Sequence, residues 1–429
     1  MLNKKSMINK KSMINKKSML NKKLKKSYKN NLIKKISLKK KKIRIKLNME
    51  NNNLQNLTSL LNKITKNHKS IEVLGILFHF IKRIDNPEFA KLLAETQFFD
   101  KKKLGKSGGK VGIIAKDYIL KYYNLDENKK YLADNEENCI KLYFPFNELI
   151  MNTILDDFAK KNKKYSNYFI PIKSIGIYQN NSYMISQKVG MEVNETYYTN
   201  LEEIIKDNHI PFLLKNISNQ KYIDEWCHSL VVILSEYFDC LKFLYSKLGY
   251  INTDFKCQNV FIKGNNKKSN LHFISNFTPL VSDLDKATIK LNDIQIMPRP
   301  DKVNEKLFSK YRGTRFSKVF EFRYNCTRNV KLCNKFQPHQ FDLLTFFYDL
   351  YILLYLKVYD RKKESLAEFI SKFEILNRFV SRRLNLNQEE FKLFYQRISH
   401  SMLLKYVSKF DLALHINAMI YNLCRFIET

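Results

Sequence analysis

The stretch Ile251-Asn252-Thr253-Asp254-Phe255-Lys256-Cys257-Gln258-Asn259 decides how the chain is read. It sets an aspartate, a lysine and an asparagine at positions n, n+2 and n+5. Before it runs an apolar stripe at helical spacing, Trp226, Leu230, Ile233, Tyr237, Leu241, Leu244 and Leu248, closed by Gly249. After it comes the short apolar strand Val260-Phe261-Ile262. A further aspartate follows the apolar pair Leu280-Val281, in Ser282-Asp283-Leu284-Asp285. Such a set supplies a carboxylate to take a proton, a cation to meet a charged group, and hard oxygen donors for a metal ion. A polar loop between a helix and a strand would show the same residues, because Asp, Lys and Asn are abundant throughout.

Toward the N-terminus, Leu104-Gly105-Lys106-Ser107-Gly108-Gly109-Lys110-Val111-Gly112 gathers four of the ten glycines within eight residues. Glycine lets backbone N–H groups close on phosphate oxygens, although a solvated glycine hairpin would read the same way. Strands are expected over 111–115 and 118–123, with a turn at Lys116-Asp117. The stretch from Phe146 to Phe158 has the period of an amphipathic helix and carries Glu148 in its first turns. Residues 170–178 and 182–188 read as two more strands, followed by a short connection ending at Gly190. Residues 54–98 have helical spacing, and 264–270 form a turn cluster between short strands.

Toward the C-terminus, Tyr311-Arg312-Gly313-Thr314 precedes Glu321 by a fixed interval, Glu321 lying seven residues after Thr314. The apolar run from Phe341 to Tyr359 contains Asp342 and Asp349. A membrane span would be penalised heavily for both, so the run is expected to be a buried core helix. Residues 364–429 read as amphipathic helices.

Asp254-x-Lys256-x-x-Asn259 followed by Asp283 resembles the catalytic loop of protein kinases, H-R-D-x-K-x-x-N, and their metal-binding D-F-G. The glycine-rich run ending Gly109-x-Val111 resembles the end of their G-x-G-x-x-G-x-V loop. The resemblance covers roughly residues 104–360 and implies a bilobal α+β fold, with a small antiparallel lobe and a mainly helical one. It implies Mg²⁺ and ATP as cofactors and phosphorylation of serine or threonine hydroxyls on protein substrates. Gly105, Gly108, Gly109 and Val111 would cover the phosphates. Lys121, in Ile119-Leu120-Lys121, would grip them and be held by Glu148. Lys116, in Ile114-Ala115-Lys116, is the rival, but it leaves too little chain for two strands and a turn. The segment from Ser186 to Gly190 would be the hinge that meets adenine. Asp254 would receive or orient the acceptor's proton, Lys256 would stabilise the moving phosphoryl group, and Asn259 and Asp283 would hold metal. Glu321 would take the place of the glutamate in A-P-E. Asp342 would hydrogen-bond to the loop backbone, since a buried carboxylate needs such partners. Asn252-Thr253 stands where the family has His-Arg, which removes the arginine that meets an activation-loop phosphate. Leu284-Asp285 replaces Phe-Gly, and the link from Asn259 to Asp283 is long. The filled polar positions speak against a pseudokinase scaffold, which stays open as an alternative. The divergence and the Lys/Asn/Ile/Phe/Tyr-rich composition resemble kinases of large DNA viruses such as iridoviruses.

The ends of the chain read differently. Residues 1–24 repeat Met1-Leu2-Asn3-Lys4-Lys5-Ser6 with small changes from Met7, Met13 and Met19. Residues 1–48 hold 19 Lys/Arg and no acid, leaving +16 of the net +35 to the rest of the 429-residue chain. Such an arm cannot bury enough apolar surface to order itself. It is either a polyanion-binding arm, for nucleic acid or an anionic surface, or a low-complexity extension with no role of its own. Nucleic-acid binding through this arm is the third functional reading. The expected organisation is an arm over 1–48, a helical cap over 49–100, a small lobe over 101–190 and a helical lobe over 191–429. Seven cysteines without a C-x-x-C pair indicate free thiols, and the N-terminus lacks the apolar core of a signal peptide. An intracellular, non-secreted protein without a transmembrane segment is the expectation.

Overall fold

The computed structural model describes residues 93–98, 110–114, 117–124, 138–142, 144–178, 181–193, 196–264, 277–298, 315–356, 366–399 and 409–429. The repeat arm, the expected helical cap before residue 93, Gly105, Gly108 and Gly109, Lys116, the turn cluster of 264–270 beyond Gly264, and residues 311–314 lie outside them. The described chain is mixed α+β, with an antiparallel sheet followed by a mainly helical region.

Five strands form the antiparallel sheet, in the order β1-β2-β3-β6-β5. These are β1 (Gln97–Phe98), β2 (Lys110–Ile114), β3 (Tyr118–Asn124), β5 (Ile172–Tyr178) and β6 (Asn181–Gln187). Their β-branched and aromatic residues suit a pleated, half-buried surface. Ile114, Leu120, Tyr183 and Ile185 form its small separate core. Helical spacing was expected to run through residue 98, but Gln97 and Phe98 pair instead with Ile113 and Gly112 as an edge strand. An apolar stripe can be overridden when a sheet edge offers unpaired N–H and C=O groups.

Helix α1 (Phe144–Lys161) packs beside this sheet. Strand β4 (Cys139–Leu142) precedes it and is buried along its whole length. Strands β7 (Met191–Val193) and β8 (Thr196–Tyr198) make a small hairpin, followed by the short helices α2 (Leu201–Ile204) and α3 (Ile210–Asn216). Helix α4 (Gln220–Leu248) then buries the stripe expected of it, with Trp226, Leu230 and Leu244 fully inside. Each such side chain contributes about 1.5–3 kcal/mol relative to leaving it exposed. The helix stops at Gly249, whose φ of 55° is left-handed and whose N–H donates to the Tyr245 carbonyl.

Strands β9 (Val260–Gly264) and β10 (Phe277–Val281) pair antiparallel, with Val260 opposite Val281. Strands β11 (Ile289–Leu291) and β12 (Ile294–Pro298) follow. Strand β12 runs parallel to β4, from Gln295 opposite Cys139 to Pro298 opposite Leu142, so residues on either side of the loop region share one three-stranded sheet. Helices α5 (Arg315–Thr327), α6 (Gln340–Leu354), α7 (Leu366–Ser371), α8 (Glu374–Leu384), α9 (Gln388–Ser399) and α10 (Lys409–Glu428) complete the chain. Helix α6 is buried along nearly all its length. Among the described residues, no helix is long and apolar enough to cross a membrane. All seven cysteines are buried and unbridged.

Candidate active site

The loop from Tyr250 to Asn259 is fixed from below by apolar packing and from the sides by hydrogen bonds. Phe255 is buried against Tyr237, Phe238 and Phe346, stacking on the last at 5.2 Å between centroids. The Asp342 carboxylate, on the first turn of α6, accepts from the backbone N–H of Asn252 (2.7 Å) and Thr253 (2.8 Å). Those bonds hold Thr253 in the left-handed region at φ 64°, which a β-branched residue adopts only under constraint. The Thr253 hydroxyl donates to the Lys286 carbonyl at 2.8 Å. Asp349, about two turns further along α6, accepts from the Cys257 N–H at 2.8 Å. The two acids in the apolar helix are therefore the two anchors of the loop.

The β9–β10 register brings the second acidic segment alongside. With Val260 opposite Val281, Asn259 and Ser282 leave the hairpin together, and the Ser282 hydroxyl donates to the Asn259 carbonyl at 2.6 Å. Asn252 Nδ2 donates to the Ser282 carbonyl at 3.2 Å. Asn259 Nδ2 donates to the Asp254 carbonyl at 2.8 Å and lies 3.3 Å from Asp254 Oδ2. Asp283 itself is left-handed, at φ 53°.

Charges converge on this loop. Burial alone would raise the Asp254 carboxyl, but Lys286 at 2.6 Å and Lys256 at 3.2 Å outweigh it and hold the group down to about 2. It is ionised at neutral pH. The Asp283 carboxyl is raised, first by burial; Lys121 opposes this, while Glu148 and Asp254 add to it. Burial and then the neighbouring Asp283 push Asp285 up to about 8. Burial pushes Asp342 up to about 7 against the two N–H donors that favour its charge. Lys286 is raised: burial lowers it, but Asp254 and Asp285 more than offset that.

Lys121 stands in the middle of β3, opposite Val111 on one side and Met184 on the other. Its Nζ forms an ion pair with the buried carboxylate of Glu148 on α1. Helix α1 is itself tied to the acidic segment, because Asn147 Nδ2 donates to the carbonyls of Asp285 (2.9 Å) and Ala287 (2.8 Å). Lys121, Glu148, Asp283, Asp254, Lys256 and Asn259 thus occupy one region, and Val111 lies on the sheet beside it. Glu321 is not brought there. It is exposed on α5, two residues and so about 200° around the helix from Arg323, which does face the loop. Arg323 Nη2 donates to the Thr253 carbonyl at 3.2 Å.

Lys286, Asn147, Asp349 and Arg323 are site residues the sequence reading missed. Lys286 follows Asp283-Leu284-Asp285 directly and Asn147 precedes Glu148, so adjacency could have flagged both. No local signal marks Arg323, which reaches the loop only through the packing of α5.

No family model matches the chain, and no curated protein matches it. Among solved structures it is similar to the kinase domain of PF14_0431, from Plasmodium. That match is 13% identical, covers 78% of this chain and 98% of the other, and has a TM-score of 0.28.

Proposed function

We propose that the chain is a phosphotransferase of the protein-kinase type, using ATP and Mg²⁺ to phosphorylate serine or threonine hydroxyls of a protein. The observation that carries the reading is the joint placement of the Lys121–Glu148 ion pair, Asp283, and the Asp254–Asn259 loop. Phosphoryl transfer asks for this combination, since catalysis there is positioning plus charge stabilisation.

The donor set suits a hard divalent ion. Asn259 has its amide nitrogen committed to Asp254, which leaves its amide oxygen as the donor atom, and Asp283 adds a carboxylate. Among the described residues no group of three His, Cys, Asp or Glu side chains could hold a metal by itself, so phosphate and water oxygens would complete the shell. When bound, Mg²⁺ would neutralise the charge developing on the phosphate oxygens. Lys121, fixed by Glu148, would bind phosphate oxygens. Asp254 stays ionised at neutral pH and would accept the hydrogen bond of the acceptor hydroxyl, orienting its oxygen for attack. Lys256 would meet the phosphoryl group as it moves.

The test is transfer of label from γ-labelled ATP to acceptor proteins. Asp254→Asn should lower transfer by about 10²-fold or more, the scale of a lost general base. Equal labelling by this variant and the unaltered protein would remove Asp254 from the mechanism. A nucleotide-binding scaffold without turnover is the second reading, favoured by the Lys286 ammonium seated on Asp254 Oδ2 at 2.6 Å. A nucleotide-dependent rise in Tm without label on any acceptor would favour it.

A further inference from the structure

Beside the catalytic loop, on the side of the C-terminal helices, lies a small cleft of about 70 Å³. Asp254 and Lys256 open onto it from the loop, Arg323 from α5, and Leu412, Ile416 and Asn417 from α10. It is smaller than a pocket for a whole drug-sized ligand and has room for one compact group or one inserted side chain. It is reached directly from the carboxylate that would face an acceptor hydroxyl.

The charges around this cleft are unequal in how far they are already matched. The acids have partners: Asp254 has Lys286 and Lys256, Asp349 takes the Cys257 N–H, and Glu202 pairs with Lys206. Arg323 spends one N–H on the Thr253 carbonyl and its charge helps hold Asp254 ionised, but among the described residues the ion pairs of Asp254 go to Lys256 and Lys286 and none to Arg323. A guanidinium has five donors in a planar fork that fits an oxyanion two bonds at a time. Asn417, buried on the α10 wall, adds an amide. Leu412 and Ile416 make that wall apolar, so an ion pair formed there is screened less than one in open water. Beyond residue 48 the chain still carries +16, which steers acidic partners toward it.

The geometry points to Arg323 as a specificity-determining residue, reading an oxyanion beside the acceptor hydroxyl, so that the substrate class is an acidic peptide. This rests on the phosphotransferase reading and adds the acceptor's chemistry to it. The acceptor hydroxyl meets Asp254, its anionic neighbour meets the fork of Arg323, and its aliphatic part lies on Leu412 and Ile416. The oxyanion is a side-chain carboxylate or a phosphate already on the peptide.

Four serine peptides that differ only at the flanking positions test this, bearing glutamate, phosphoserine, glutamine or lysine there. Transfer from labelled ATP is followed as kcat/KM, with the nucleotide-dependent Tm shift as a measure of folding and ATP binding. The unaltered protein should favour the glutamate or phosphoserine peptide over the glutamine peptide by about tenfold, the scale of one charge-assisted bidentate pair, and whichever leads names the source of the oxyanion. Arg323→Gln should bring that ratio close to one through KM, with the Tm shift retained, and Arg323→Lys should restore part of it. Arg323→Glu should turn the preference toward the lysine peptide. If Arg323→Gln does not fold, Asn417→Asp serves instead, since a carboxylate on the α10 wall of the cleft should weaken the acidic peptides alone. Equal use of all four peptides, or an acidic preference that survives these substitutions, overturns the inference while leaving phosphotransfer intact. No label on any acceptor removes the phosphotransfer reading and the inference with it.

Discussion

At the scale of single residues the loop depends on Asp342. Two backbone N–H groups end on its carboxylate, and no water could replace it at 3% exposure without opening α6. Each orphaned buried donor costs about 1–3 kcal/mol, so Asp342→Ala should lower unfolding stability by about 2–5 kcal/mol in a denaturant titration. A loss below about 1 kcal/mol would mean that the loop finds its geometry elsewhere. His339, just before α6, offers a test by pH. Burial, with Lys242 close by, holds its imidazole down to about 4 from an ordinary 6.5, and its ring lies 4.5 Å from that of Tyr245. The folded state resists protonation here, so its stability is present above pH 6.5 and is lost as pH falls toward 4. Relative to the unaltered protein, His339→Phe should therefore gain in Tm between pH 7 and pH 4. Asp342 shifts the other way but is common to both proteins and cancels in the difference; a constant gap across the range would exclude His339. These residues also mark how far the sequence could be read. The spacing Asp254-Lys256-Asn259 is local and visible. Lys286 on Asp254 and Arg323 on Thr253 are contacts across 32 and 70 residues, decided by packing that no periodicity encodes.

At the scale of elements, periodicity was informative wherever burial was one-sided or complete over a long run. Strands β2, β3, β5 and β6 lie within a residue or two of the apolar patterns that suggest them, and α4 ends where its stripe does, at Leu248, although it starts at Gln220, six residues ahead of Trp226. Strand β4 was not legible. It is four residues long, buried on both faces, and paired with β12 from far along the chain, so neither alternation nor a turn signals it. The edge strand at Gln97–Phe98 was hidden by a helical stripe for a related reason: its partner, not its own pattern, sets its state. The end of α4 is legible and testable. Gly249 sits at φ 55°, and a Cβ there would come within 2.5 Å of Asn329 Nδ2 and 2.8 Å of Lys290 Cβ. Gly249→Ala therefore meets both a left-handed backbone and a filled space, and should cost about 1–3 kcal/mol, read as a lower denaturation midpoint at unchanged m-value. Unchanged stability would show that the Asn329 side chain and the loop after α4 yield freely.

At the scale of the described molecule, the sheet side that carries Lys121 and the helical side that carries Asp254 are joined by more than the chain. Strand β4 runs directly into α1 and pairs with β12, which follows the acidic segment; Gln295 N–H donates to the Asn138 carbonyl at 2.9 Å. Asn147, one residue before Glu148, binds the carbonyls at 285 and 287. Helix α1 thus reports the position of the acidic segment to Lys121 through Glu148, and a shift of one should carry the other. Segments tied this way open together rather than separately. Native-state hydrogen exchange should therefore show 139–142, the start of α1, and 284–298 as one cooperative unit. Gln295→Pro removes a ladder donor within β12, and Asn147→Ala removes the bonds to the turn. Each should speed exchange in both segments by a similar factor while leaving α4 and α6 protected, and each should weaken nucleotide binding without touching a residue of the Lys121–Glu148 pair. Faster exchange confined to 284–298, with 139–142 unchanged, would show that the two sides are merely adjacent and that Glu148 is positioned by α1 alone.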